Sequence, residues 1–195
     1  ENVVMLPRAE IAKALAGAIQ LAKFDKAGLS AFGHTGEAAK RSFFAAVIVA
    51  PMFLLWIATH GIDTAIDVPL PSELTFAFLS YVCGWLIFPI LMWHVSEKLG
   101  CRAQFFHFLA AYNWAAVIQN GLFMAMDVIF VSIGAPEGAR GLFGLILLVY
   151  VLLYAWFVAK SALDLPAGPA CLVVALDMMA SVLWESFTNN MSTSG

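Results

Sequence analysis

Charge is scarce in this chain. Only 12% of its 195 residues are Asp, Glu, Lys or Arg, against about 25% in an ordinary soluble domain. Together with 62% hydrophobic residues, that deficit excludes a soluble globular protein. Cysteine is rarer still. Cys83 and Cys171 fall inside apolar runs and Cys101 lies in a polar joint, so no disulfide and no CxxC pair is expected. GxSxG, Walker, HExxH and phosphate-cradle motifs are all missing. No recognised catalytic centre, cofactor site or nucleic-acid partner is therefore expected. Basic residues are also lacking in the middle of the apolar runs, where a coupled transport path would seat a partner for a carboxylate.

What the chain does have is five apolar runs, roughly 43–60, 74–96, 105–133, 142–159 and 170–187. Each approaches or exceeds the about 17 to 25 residues a helix needs to cross the hydrocarbon layer. The expected fold is all-α, a polytopic bundle of five transmembrane helices. Nine of the ten Lys and Arg residues sort to one side of it: Arg8, Lys13, Lys23, Lys26, Lys40, Arg41, Lys98, Arg102 and Lys160. The other side holds Arg140 against Asp63, Asp67, Glu73 and Glu137. The positive-inside rule then predicts a cytoplasmic N-terminus and an external C-terminus. Trp56 and Trp184 near the outer ends, and Trp93 and Trp156 near the inner ends, agree with that orientation. Trp85 and Trp114 sit away from the ends and are expected inside the bundle.

Residues 1–40 read as a cytoplasmic segment, 41–187 as the bundle and 188–195 as a short external tail. Within the segment, 7–24 carries Ile11, Leu15, Ile19 and Ala22 at helical spacing. This amphipathic helix would lie on the inner leaflet or dock on the bundle's own joints, and the leaflet is the favoured site. Its successor, 25–37, has three glycines and no period, which predicts a turn-rich connector. About forty residues precede the first run, so no cleavable signal peptide is expected, and Met5 offers a natural start. Pro51 and Pro89 fall inside the first two runs and predict kinks.

The third run carries a polar stripe. Asn113, Asn120 and Asp127 are spaced by sevens on nearly one face, with Gln119 beside them. The fifth run places Asp177 near its centre. A mid-membrane aspartate costs about 2.5 to 3.5 kcal/mol on insertion scales, so it should face the bundle and find a partner. Asn120, Gln119, Trp85 and Tyr150 are the candidates. One reading makes this seam glue that sets helix register. The other lines a proton or ion path with Asp177 and Asp127. A separate group, His94, Glu97, Cys101 and His107, surrounds one joint with metal-capable side chains, but in a spacing that matches no known site. No metal is expected there.

Residues 28–51 (GLSAFGHTGEAAKRSFFAAVIVAP), with Ala111-Tyr112-Asn113-Trp114, resemble a group of alphaproteobacterial inner-membrane proteins. That group is similar in outline to Yip1-like proteins: five spans, N-terminus inside, C-terminus outside. The resemblance implies a fold and a bacterial inner membrane, and no catalytic centre. The Asp-Leu-Tyr-Gly-Pro signature of the eukaryotic members is missing, so their GTPase-linked role does not carry over.

The expectation is a non-catalytic accessory or organising subunit. Its partners would be the bilayer and another membrane protein or a second copy. The alternative is a small proton-coupled or ion transporter using Asp177 and Asp127. The fourth run, nearly all Leu, Val, Phe and Tyr, is expected to present an exposed face.

Overall fold

The computed structural model describes residues 6–60 and 70–194. The Met5 start and the acidic joint with Asp63, Asp67 and Pro69 lie outside the described residues. The rest is helical: α1 (Arg8–Ala22), α2 (Gly36–Ser42), α3 (Phe44–His60), α4 (Leu70–Lys98), α5 (Phe105–Ser132), α6 (Glu137–Ala162) and α7 (Ala167–Ser194). Five spans among the described residues are long and apolar enough to cross a membrane. The first comprises α2 and α3, and α4 to α7 supply one each.

The runs fall where expected, and helix extends beyond two of them. The first span reaches back to Gly36, with Phe43 standing between α2 and α3, and Pro51 and Pro89 both lie inside helices. Helix α7 continues past the last apolar residues into the expected tail, as far as Ser194. Polar residues there need no end to the helix, because a helix satisfies its backbone groups within itself.

Helix ends repeat one device. Phe24, Gly100, Gly134 and Asp164 have positive φ. After each, the next amide bonds back to a carbonyl five residues earlier: Asp25 to Gln20, Cys101 to Ser96, Ala135 to Phe130 and Leu165 to Lys160. This is the Schellman closure, which satisfies carbonyls left over at a helix end. Phe24 is a bulky occupant of a conformation that favours glycine. Edge-on packing of its ring against Tyr150 and Phe157, at 6.1 and 5.4 Å, holds it there.

Of the two positions expected for α1, docking on the bundle is the one the contacts show. α1 packs on α5 and α6, and a 3₁₀ turn at Lys26–Ala31 folds back on it. The buried face is Ala14, Gly17, Ala18 and Leu21. Ile19, from the expected apolar stripe, is 45% exposed. Small residues win because they admit close backbone approach. A Cβ on Gly28 would stand 2.4 Å from the Gly17 carbonyl oxygen, and one on Gly17 would stand 2.4 Å from the Ala31 Cβ. Residues 8–42 thus share one core with the spans and do not form a separate segment.

That core lies at one end. It is made by the first half of α5, the C-terminal parts of α4 and α6, the start of α7, and α1 to α3 as far as Val49. We call this the closed end. At the opposite, open end, no described side chain of α3 to α7 is buried.

Candidate functional site

The interhelical bonds of the bundle are made mainly by tyrosines. The chain has four tyrosines against sixteen phenylalanines, and each hydroxyl donates to another element. Tyr81 on α4 bonds the Ala46 carbonyl of α3 at 2.6 Å, one residue before the carbonyl freed by Pro51. Tyr112 on α5 donates to the Asp177 carboxylate of α7 at 2.8 Å. Tyr150 and Tyr154 on α6 donate to the carbonyls of Ala22 and Ala18, at 2.6 and 2.8 Å. Both carbonyls lie in the C-terminal part of α1, and that of Ala22 is among the last four, where intrahelical donors run out. Tyr154 is fully buried.

The expected polar seam separates into unlike parts. Asn113 is fully buried; its amide donates at 2.9 Å to the Ser42 hydroxyl of α2, which in turn donates to the Ala39 carbonyl. Asn120 is exposed and bonds its own helix, donating to the Ala116 carbonyl at 2.8 Å. Gln119 and Asp127 are half-buried, farther toward the open end.

Asp177 meets none of the four partners expected for it. The seam was placed between α5 and α7, yet among the described residues these two helices do not pack along their length. α6 packs against both, and α7 also packs on α4. Tyr112 is a side chain long enough to reach across, and it bonds Asp177. Its ring is fixed by Phe88 and Phe108, at centroid distances of 4.8 and 5.6 Å. Asp177 is therefore level with Tyr112 and not with Asn120, which lies about 12 Å along α5 at the helical rise. The signal in the sequence was the hydroxyl itself, kept in an apolar run where phenylalanine is the commoner aromatic.

His94, Glu97, Cys101 and His107 are not brought together. No group of three or more His, Cys, Asp or Glu side chains suited to a metal ion occurs among the described residues. His94 is exposed, with Nδ1 3.0 Å from the Ile90 carbonyl oxygen of its own helix. Cys101 is 3% exposed, and burial pushes its thiol above the usual range. His107 is buried and stacks on His34, a residue outside the predicted group, with ring centroids 3.8 Å apart and planes 2° from parallel. Nearby, Arg41 of α2 pairs with Glu10 of α1.

Trp114 is buried as expected, and Trp85 is half-buried. Trp93 and Trp156 lie at the closed end beside cations: Arg102 sits over the Trp93 ring and the Lys160 ammonium is 4.8 Å from the Trp156 centroid. Trp184 donates to the Ser80 carbonyl at 3.2 Å, joining α7 to α4 toward the open end. The fourth expected span, α6, is exposed along its first half, at Leu142, Phe143, Leu145 and Ile146. Its second half is the seat of α1.

No protein-family model matches this chain, and no curated protein or solved structure is found similar to it.

Proposed function

We propose that the chain is a non-catalytic accessory or organising protein of a bacterial inner membrane. It would act through helix contacts within the bilayer. What carries this reading is the use of the polar groups. Four tyrosine hydroxyls and the Asn113 amide are committed to bonds between elements. Such bonds set register and are worth about 0.6 kcal/mol each on average. The open end of the same helices offers apolar side chains to lipid or to a neighbouring membrane protein. Nine of ten cations sort to the joints and segments of the closed end, which supports a cytoplasmic closed end, a cytoplasmic N-terminus and an opposite C-terminus. The resemblance to Yip1-like inner-membrane proteins agrees with this topology.

Gentle detergent extraction followed by native mass spectrometry tests the reading. A stoichiometric complex with another membrane protein, or a defined oligomer, is expected. A monomer alone would count against it. Cysteines placed at Asp63 and Lys98 should label from opposite sides of the membrane, and labelling from one side would refute the topology.

One observation favours a transporter instead. Tyr112 and Asp177 form a hydroxyl–carboxylate pair at mid-helix, between two helices that do not pack together. A proton path could open there by separating α5 from α7, with Asp127 farther along. Proton flux in dye-loaded liposomes decides between the two. Flux lost in Asp177→Asn would overturn the accessory role.

A further inference from the structure

We infer that α1 and its 3₁₀ turn form a re-entrant hairpin whose polar outer face lines a hydrated groove for an anionic phospholipid headgroup. The groove lies in the closed-end half of the bilayer. The inference rests on the bundle spanning a membrane, and not on the accessory role.

Depth is the first observation. Lys160 beside Trp156 and Arg102 beside Trp93 mark the closed-end boundary, since tryptophans and flanking cations belong at the membrane–water interface. Tyr150, which holds the Ala22 carbonyl, stands about 15 Å along α6 from Lys160 at the helical rise. That is half of the roughly 30 Å hydrocarbon layer. Tyr154 holds Ala18 nearer the boundary, so α1 descends toward the middle of the membrane along its length. The ring of Phe24 against Tyr150 and Phe157 anchors the tip. The 3₁₀ turn then brings the chain back, with Gly28 and Ala31 against Gly17.

Polarity is the second observation. The tip is formed by Lys23, Phe24, Asp25, Lys26 and Ala27, all exposed. Lys13, Ala16, Gln20 and Lys23 continue its outer face toward the boundary at helical spacing, and they are exposed too. In the same half of the bundle, α4 and α7 present Ile90 and Leu172 outward, each 59% exposed. One flank is therefore fit for acyl chains and the other is not. Charged side chains and non-helical backbone at such depth are tolerated inside protein or against water. No described part of the chain covers the tip, so water must reach it. The depth also exceeds what a lysine stem bridges by snorkelling.

The mixture of groups identifies the occupant. Asp25 turns its carboxylate onto the Ala27 amide at 2.9 Å. Among the described residues, Lys23 and Lys26 have no ion pair. Two such ammonium groups suit a phosphate. On the same hairpin Ile19 and Phe24 are 45% and 43% exposed, and these suit acyl chains. A free anion uses the first pair alone, whereas an anionic phospholipid uses both. Beyond the tip α6 exposes Leu142, Phe143 and Ile146, so the polar lane ends at mid-membrane.

Quenching on the full chain in phosphatidylcholine nanodiscs tests depth and water together. A fluorophore on Ala27→Cys, with Cys83, Cys101 and Cys171 replaced by alanine, should be quenched by mid-chain brominated lipid and by aqueous iodide. The same fluorophore on Leu172→Cys should answer to brominated lipid alone. At the hairpin tip, quenching by iodide alone would mean a tip outside the bilayer, and by brominated lipid alone a dry one. Either result would overturn the groove. Headgroup binding is read by native mass spectrometry of phosphatidylglycerol added to the detergent-solubilised protein. Lys23→Gln with Lys26→Gln should weaken it about thirtyfold, the effect of two cations at anionic lipid. Lys40→Gln with Lys98→Gln, also at exposed positions, should leave it nearly unchanged. An equal loss in both double variants would overturn the site. So would wild type that holds phosphatidylcholine equally well, or displacement of the lipid by inorganic phosphate at the same concentration.

Discussion

Between Phe105 and Val117, α5 holds ten buried side chains; between residues 118 and 132 it holds none. The same helix changes character at its middle, and α6 mirrors it, exposed to Val149 and buried from Tyr154. Hydrophobicity does not explain the difference, because the open half is at least as apolar. Size and hydroxyls do. The closed end sets Ala14, Gly17, Ala18, Ala110, Ala111, Ala115, Ala159 and Ala162, which let backbones approach, among large buried side chains such as Phe108, Trp114 and Tyr154. The open end carries Leu142, Phe143, Ile146, Val182 and Leu183, all exposed on the outside of the bundle. In a bilayer the tails are as apolar as leucine, so close packing and hydrogen bonds, and not burial itself, hold helices together.

The strongest way to break this contrast is at the glycine contact of the closed end. Gly28→Leu puts a side chain where even a Cβ meets the Gly17 carbonyl at 2.4 Å. It should cost about 3 kcal/mol, the upper range for overpacking, and undock the hairpin. Thermal unfolding in detergent and protease sensitivity of residues 8–32 would show both effects.

Removing single hydroxyls comes next. Tyr154→Phe deletes a buried bond to the Ala18 carbonyl and should lower stability by about 1 to 1.7 kcal/mol, toward the upper end for bonds within membranes. Tyr112→Phe leaves the Asp177 carboxylate without its donor. A loss of about 1 kcal/mol is expected, restored in good part by Asp177→Leu in the double variant. A double-mutant cycle measures this, and strict additivity would mean the bond contributes nothing.

The open end should barely respond. Leu145→Ala, at a side chain 58% exposed, should stay within about 0.5 kcal/mol of the wild type in detergent. A loss of several kcal/mol would show that this surface is packed in the native assembly.

The smallest effect is chemical. Cys101 is buried and its thiol is raised above the usual range, so less thiolate is present at neutral pH than for a free cysteine. Alkylation should be slow at pH 7 and gain rate only at pH values above those that activate an ordinary thiol. Rapid labelling at pH 7 would show that the closed end opens in solution.

Much of the fold was legible because it is written locally. Runs of apolar residues set the spans, whereas the closures at Gly100 and Gly134 emerged only with their positive φ. Phe24 and Asp164 close helices in the same way, yet neither residue type announces it. The polar stripe was legible as residues and misread as a group. Asn113, Asn120 and Asp127 share a face in a straight helix, yet one is bonded to Ser42, one to its own helix, and neither of these meets Asp177. The His34–His107 stack had no periodic signal at all, since it joins a connector to a helix 73 residues later in the chain.

The sequence by itself determined that this is a membrane protein, how many helices are apolar enough to span, and roughly where along the chain they lie. Those properties depend on the length and composition of contiguous segments, measured against a fixed hydrocarbon thickness. Only the tertiary structure decided which faces meet, that α1 and its 3₁₀ turn dock on the bundle, and that Tyr112 is the partner of Asp177. An apolar side chain is equally at home against lipid or another helix. The choice between them is made by the reach of a tyrosine and the room left by a glycine, and neither is visible until the helices stand side by side.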